Sequence, residues 1–135
     1  GKPIDVLFYG SLNERRMSVL SKINNIKILG GDTSSFGDSL WNDYIIKSKI
    51  ILSLAYYEPS NNDLFRITPL LSNRCFVISE KCNDEDFNNN PNLLTCEKDE
   101  MPKLCEYYVN RPLERLYWID KGYEYIKNNP IIIPN

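Results

Sequence analysis

The stretch KIILSLAYY, Lys49 to Tyr57, decides the fold. It is a continuous apolar run, rich in β-branched and aromatic residues, and suits a strand in the middle of a parallel sheet covered on both faces. Working outward, IDVLFYG (Ile4 to Gly10) reads as a second buried strand that turns sharply at its glycine, and CFVISE (Cys75 to Glu80) as a third. Ile26 to Leu29 makes a short strand ended by Gly30 and Gly31, and Leu93 to Cys96 a weak one. Helical patterns fill the gaps. Ser11 and Glu14 match the S-x-x-E capping box and open a helix with Met17, Leu20 and Ile23 on one face. After a polar loop from Asp32 to Gly37, a second helix is expected from about Ser39 to Lys47, burying Trp41, Tyr44 and Ile45. Asp63 to Ser72 has helical periodicity at Phe65, Ile67, Leu70 and Leu71, but Pro69 either kinks that helix or starts a shorter one capped by Thr68. Lys81 to Asn92 reads as a loop, and two last helices, Met101 to Val109 and Pro112 to Lys127, are separated by the breaker Asn110-Arg111-Pro112. This alternation predicts an α/β domain, a doubly wound parallel sheet of about five strands with helices on both faces. It spans residues 1–135 as a single domain, with 129–135 as an extended tail.

Composition supports one ordinary domain with a real core: 135 residues, 42% hydrophobic, 12% aromatic and 25% charged. Sixteen Lys plus Arg against eighteen Asp plus Glu leave a formal charge of −2, so no basic field collects nucleic acid. Histidine is absent, which removes Ser/His and Cys/His nucleophiles and the commonest zinc ligand. Chemistry here falls to carboxylates, Arg, Lys, Tyr and backbone amides. Cys75, Cys82, Cys96 and Cys105 form no C-x-x-C pair, and point to reduced thiols in a cytoplasmic protein; a secreted chain with one or two bridges is the competing reading. No apolar run of about eighteen residues is present, so no transmembrane segment is expected and the protein reads as soluble. The chain starts almost at once with a strand and has no leader pattern, as expected of a start at a domain boundary. Asp84, Glu85 and Asp86 match no EF-hand spacing, and no metal site is assigned. Ile131 to Ile133 form an apolar patch between two prolines, either packed on the domain's own surface or meant for a neighbouring domain.

In an open α/β sheet, ligands bind beyond the C-terminal ends of the strands. At the first such end, Gly10 allows close backbone approach, Ser11 opens a helix, and Arg15 and Arg16 lie in its first turns, which suits phosphate. The bland alternative makes both arginines solvated surface residues. At the mouth of the central strand and the start of the next helix, Tyr56, Tyr57, Glu58, Asn61, Asn62, Asp63 and Arg66 combine aromatic faces for a base, a carboxylate for hydroxyls and a guanidinium for a diphosphate.

The order of DVLFYGSLNERR, FGDSLWNDYIIKSKIILSLAYYE, DLFRITPLLSNRCFVISE and a final KGYEYIK helix resembles the C-terminal, nucleotide-sugar-binding domain of GT-B glycosyltransferases, in the bacterial and viral branch that includes the spore-maturation type. The similarity runs from about Ile4 to Lys127. It implies a Rossmann-like half of a two-domain enzyme that holds a nucleoside-diphosphate sugar as donor substrate and works without a cofactor or metal. An N-terminal acceptor-binding domain is expected in the full protein. By position, Gly10 and Ser11 approach the donor phosphates, Arg15 or Arg16 neutralises them, Arg66 holds the diphosphate, and Tyr57 and Glu58 lie near the nucleoside or sugar. Two positions depart from the pattern. Pro69 stands where many relatives carry a ribose-contacting Glu, with Glu80 as a candidate substitute, and Arg74 stands where a glycine is common. A non-catalytic interaction module that keeps the fold and has lost the donor site is the alternative. A receiver-like domain lacks its acidic cluster here, and a P-loop hydrolase lacks its G-x-x-x-x-G-K-[ST] motif.

Overall fold

The computed structural model describes residues 1–59 and 61–130. The isoleucine patch at 131–133 lies outside them. Five strands, β1 (Ile4–Gly10), β2 (Ile26–Gly30), β3 (Ser48–Ser53), β4 (Val77–Glu80) and β5 (Thr95–Cys96), form one sheet in the order β2-β1-β3-β4-β5. Every pairing is parallel, with Val6 opposite Ile50, Ile51 opposite Val77, and Ser79 opposite Thr95. The helices are α1 (Glu14–Leu20), α2 (Leu64–Ser72), α3 (Glu85–Asn88), α4 (Met101–Tyr108) and α5 (Pro112–Asn128). The expected doubly wound, Rossmann-like α/β fold is present.

Alternation along each strand splits the core into two layers, because successive side chains leave opposite faces. Val6, Phe8, Ile50, Leu52 and Ile78 face α1 and α4, meeting Val19, Leu20, Met101 and Cys105. Leu7, Ile51 and Val77 face the other way, onto Ile67, Leu70 and Leu71 of α2. Helix α5 serves both layers: Trp118 and Ile119 pack on the first, Tyr125 and Ile126 on the second. Between them, Gly122 lets α2 come close, since a Cβ there would sit 2.9 Å from Leu71 Cδ2.

Several local expectations shift. The cap of α1 is Asn13, not Ser11, because the Asn13 side chain accepts from Arg16 N and also finds a tertiary partner. The buried face of α1 holds Arg16, Val19 and Leu20, while Met17 of the expected stripe is exposed. The segment before β3 forms a π-helical turn, Leu40–Ile45, closed by Ile46 N donating to Trp41 O. Only Ile45 of its expected stripe is fully buried. Helix α2 runs through Pro69 without restarting, and the Thr68 hydroxyl donates back to Leu64 O instead of capping. Pro69 has no N–H for the Phe65 carbonyl, a loss softened by water because Phe65 is 65% exposed. That exposure removes Phe65 from the expected apolar stripe. The loop at 81–92 contains α3, capped by Asp84 and pinned by buried Phe87. Arg74 just after α2 has φ 58°, the left-handed region where glycine is favoured. It is held there by stacking 3.8 Å from the Tyr123 ring centroid and by Asp120 at 3.4 Å. Among the described residues no helix is long and apolar enough to cross a membrane.

Candidate functional site

Strand order reverses between β1 and β3, which opens a crevice at their C-terminal ends. A cleft of about 410 Å³ occupies it, walled by the chain running on from β3, by the start of α2 and by the end of β4. β1 delivers Gly10 to this crevice with φ 140°. A Cβ added to Gly10 would lie 3.3 Å from Arg16 Nη1 and 3.4 Å from Arg66 Nη2, so two guanidiniums converge on one backbone position.

Arg16 reaches this point from α1 and is only 6% exposed, which rules out the solvated-surface alternative for it. Its Nε donates to Leu54 O at 3.0 Å and its Nη1 to Ser11 O at 2.6 Å. The guanidinium carbon lies 5.1 Å from the Phe8 ring centroid and 5.3 Å from that of Tyr56, within cation–π range of both. Burial, and after it the charge of Arg66, push the Arg16 pKa below its ordinary value. Arginine stays protonated nonetheless. Arg66 comes from the first turn of α2, donates from Nη2 to Tyr9 O at 2.7 Å and covers the Tyr9 ring. Among the described residues neither Arg16 nor Arg66 forms an ion pair within 4 Å. One buried and one half-buried guanidinium, neither ion-paired among the described residues, give a positive local potential that Asp63 offsets in part and that an anion entering the cleft would relieve.

Arg15 has a different fate. Its two Nη atoms grip the Glu80 carboxylate, Nη1 also donates to Ala55 O at 2.9 Å, and Nε lies 3.6 Å from Glu58 Oε1. The hydrogen bonds to Glu80 raise the Arg15 pKa. Glu80, 7% exposed, also accepts from Ala55 N at 3.0 Å. The pair braces the chain beyond β3, and both of its charges are used internally. Sequence could not separate Arg15 from Arg16; helix phase does, sending Arg16 towards Gly10 and Arg15 towards β4.

The remaining candidates occupy the rim. Ser11 is exposed and offers its carbonyl to Arg16. Tyr57 is 77% exposed and meets Tyr56 edge to face at 4.9 Å. Glu58 is exposed beside Arg15. Asn62 is half-buried, donates to Asp84 Oδ2 at 2.7 Å and accepts from Leu64 N at 3.1 Å, so it ties the start of α2 to α3. The cleft therefore gathers Gly10, Arg16, Arg66, Tyr57, Glu58 and one side of Glu80, with Asn62 at its edge.

Three participants escaped sequence reading: Asn13 bridges two loops, and Tyr9 and Phe8 supply the aromatic surfaces under the guanidiniums. Asp63, a member of the expected constellation, accepts from the Ser53 hydroxyl beneath α2. A Ser-to-Asp bond between a strand end and a helix cap has no spacing signature. Phe8 and Tyr9 were visible, though only as strand content.

No protein-family model matches the chain, and no curated protein or solved structure matches it either.

Proposed function

We propose that this domain binds a nucleoside-diphosphate sugar in the cleft between β1 and β3 and serves as the donor-binding half of a glycosyltransferase. The observation that carries the reading is the convergence of Arg16 and Arg66 on Gly10, where backbone can approach a diphosphate and two forked cations can grip it. Exposed Tyr57 at the rim offers an aromatic face to a base, and Glu58 an acceptor to sugar hydroxyls. As the glycosidic bond to the donor breaks, negative charge grows on the leaving diphosphate. Arg16, already desolvated and oriented, stabilises that charge with little reorganisation. An acceptor and a base would come from a second domain closing over the cleft, so the isolated chain binds donor with little or no turnover.

Calorimetry and thermal shift with UDP, GDP, dTDP and their sugar conjugates test this, with Arg66→Ala as control. Saturation at about a hundred times Kd adds roughly 2.7 kcal/mol of stability. A selective shift lost in Arg66→Ala is expected; no shift with any nucleotide for the folded protein rejects the reading. One observation favours the alternative of an interaction module without donor binding. Glu80, the candidate replacement for the carboxylate missing at Pro69, is already committed to Arg15 and Ala55 N.

A further inference from the structure

Arg16 leans on the chain beyond β3 through the Leu54 carbonyl and the Tyr56 ring, yet is itself part of α1. Its placement therefore depends on how firmly the loop after β1 is fixed to the loop after β3. The Asn13 side chain ties the backbone at Arg16 directly to the backbone at Tyr56. Asn13 Oδ1 accepts from Arg16 N at 2.9 Å, while Nδ2 of the same carboxamide donates to Tyr56 O at 2.7 Å. The two partners fix the amide's orientation, since an N–H requires the oxygen and a carbonyl the nitrogen. We propose that Asn13 is the positioning residue of the cleft, a latch that registers the Arg16 guanidinium over Gly10 by holding both the Arg16 backbone and the wall its side chain packs on.

The proposal rests on the diphosphate reading for its ligand and on geometry alone for the latch. Of the side chains that cap helices well, asparagine places its acceptor for the helix N–H and its donor for a carbonyl on two separate atoms, whereas serine and threonine hold both on one shorter hydroxyl. Asn13→Ser keeps the cap and cannot reach Tyr56 O. Asn13→Asp keeps the cap and sets a carboxylate against that carbonyl. A purely structural cap would tolerate both changes.

Two readouts, made on the whole chain, test it. Hydrogen exchange of the Arg16 Nε–H, followed by NMR without ligand, should accelerate about tenfold in Asn13→Ser as the hold from Leu54 O loosens. Calorimetry with pyrophosphate and with UDP should show affinity about tenfold weaker in both variants, while the melting temperature changes by no more than about 4 °C. Unchanged Arg16 exchange in folded Asn13→Ser overturns the latch, as does unchanged affinity in a wild type that binds. If wild type binds neither probe, the diphosphate reading fails, and the exchange measurement alone decides the latch. Should Asn13→Ser not fold, Asn13→Asp supplies the same exchange comparison.

Discussion

Replacing Glu80 with leucine removes one half of a buried ion pair and leaves three groups behind. Arg15 Nη1 keeps Ala55 O, Arg15 Nη2 loses its carboxylate, and Ala55 N loses its only side-chain acceptor here. An orphaned backbone amide costs about 1–3 kcal/mol. Breaking a buried pair from one side costs about 3–5 kcal/mol when the remaining charge has no other recourse. Arg15 has some, since its side chain is 14% exposed and Glu58 lies 3.6 Å from Nε. The expected loss for Glu80→Leu is therefore about 3 kcal/mol, at the low end of that range. For a chain of this length the melting temperature falls by about 10 °C. Circular dichroism melts at neutral pH measure it. The double variant Arg15→Met/Glu80→Leu leaves no buried charge and should recover roughly half of the loss. A drop under about 3 °C, or a double variant as destabilised as the sum of its singles, refutes the account of this pair as a brace whose halves depend on each other.

Gly10→Ala should cost about 1–3 kcal/mol, because the residue's positive φ disfavours a side chain. Its methyl group also crowds both guanidiniums, so any diphosphate affinity should fall more than tenfold by calorimetry; retained affinity would contradict the placement of the anion. Burial lifts the Cys96 and Cys105 thiols to about 12 and raises that of Cys75, whereas Cys82 is half-buried. A thiol reagent at about pH 8 should modify one cysteine quickly, identified by mass spectrometry as Cys82, and two fast thiols would overturn this. The hydrogen bond from Asn62, with backbone N–H groups of α3, holds the Asp84 carboxyl below its ordinary value of 3.8. Its stabilising effect is complete above that value and fades as pH falls through the lower folded value, so Asn62→Ala should move the NMR titration of Asp84 upward and flatten the acid limb of the stability profile.

The sheet was legible because its strands are runs of apolar residues whose type and brevity admit little else: β1, β3 and β4 fall inside Ile4 to Gly10, Lys49 to Tyr57 and Cys75 to Glu80, apart from Ser48. Ends were less legible. The run through Tyr57 stops pairing at Ser53, since β4 is only four residues long and the chain beyond turns to wall the cleft. Both Ser11 and Asn13 are good caps locally, and the choice fell to the Tyr56 carbonyl, a partner 43 residues away. The face of α1 that packs inward decided which arginine meets the cleft. Local pattern could name the pair Arg15-Arg16 and could not divide its labour. Arg74 shows the converse: a position where the resemblance expects glycine does adopt a left-handed backbone, with Tyr123 and Asp120 holding the larger residue.

Helix α5 has a consequence beyond its own packing. Because one continuous rod of seventeen residues contributes side chains to both sides of the sheet, neither layer can melt while the other keeps its full complement of neighbours. The helix acts as a tie-rod between two contact networks that otherwise share only the sheet, an arrangement that favours cooperative unfolding. Its docking through the Gly122–Leu71 contact also connects α2, and hence Arg66 at the cleft, to both layers of the core. The loops that shape the cleft thus stand on a frame disposed to yield as a whole.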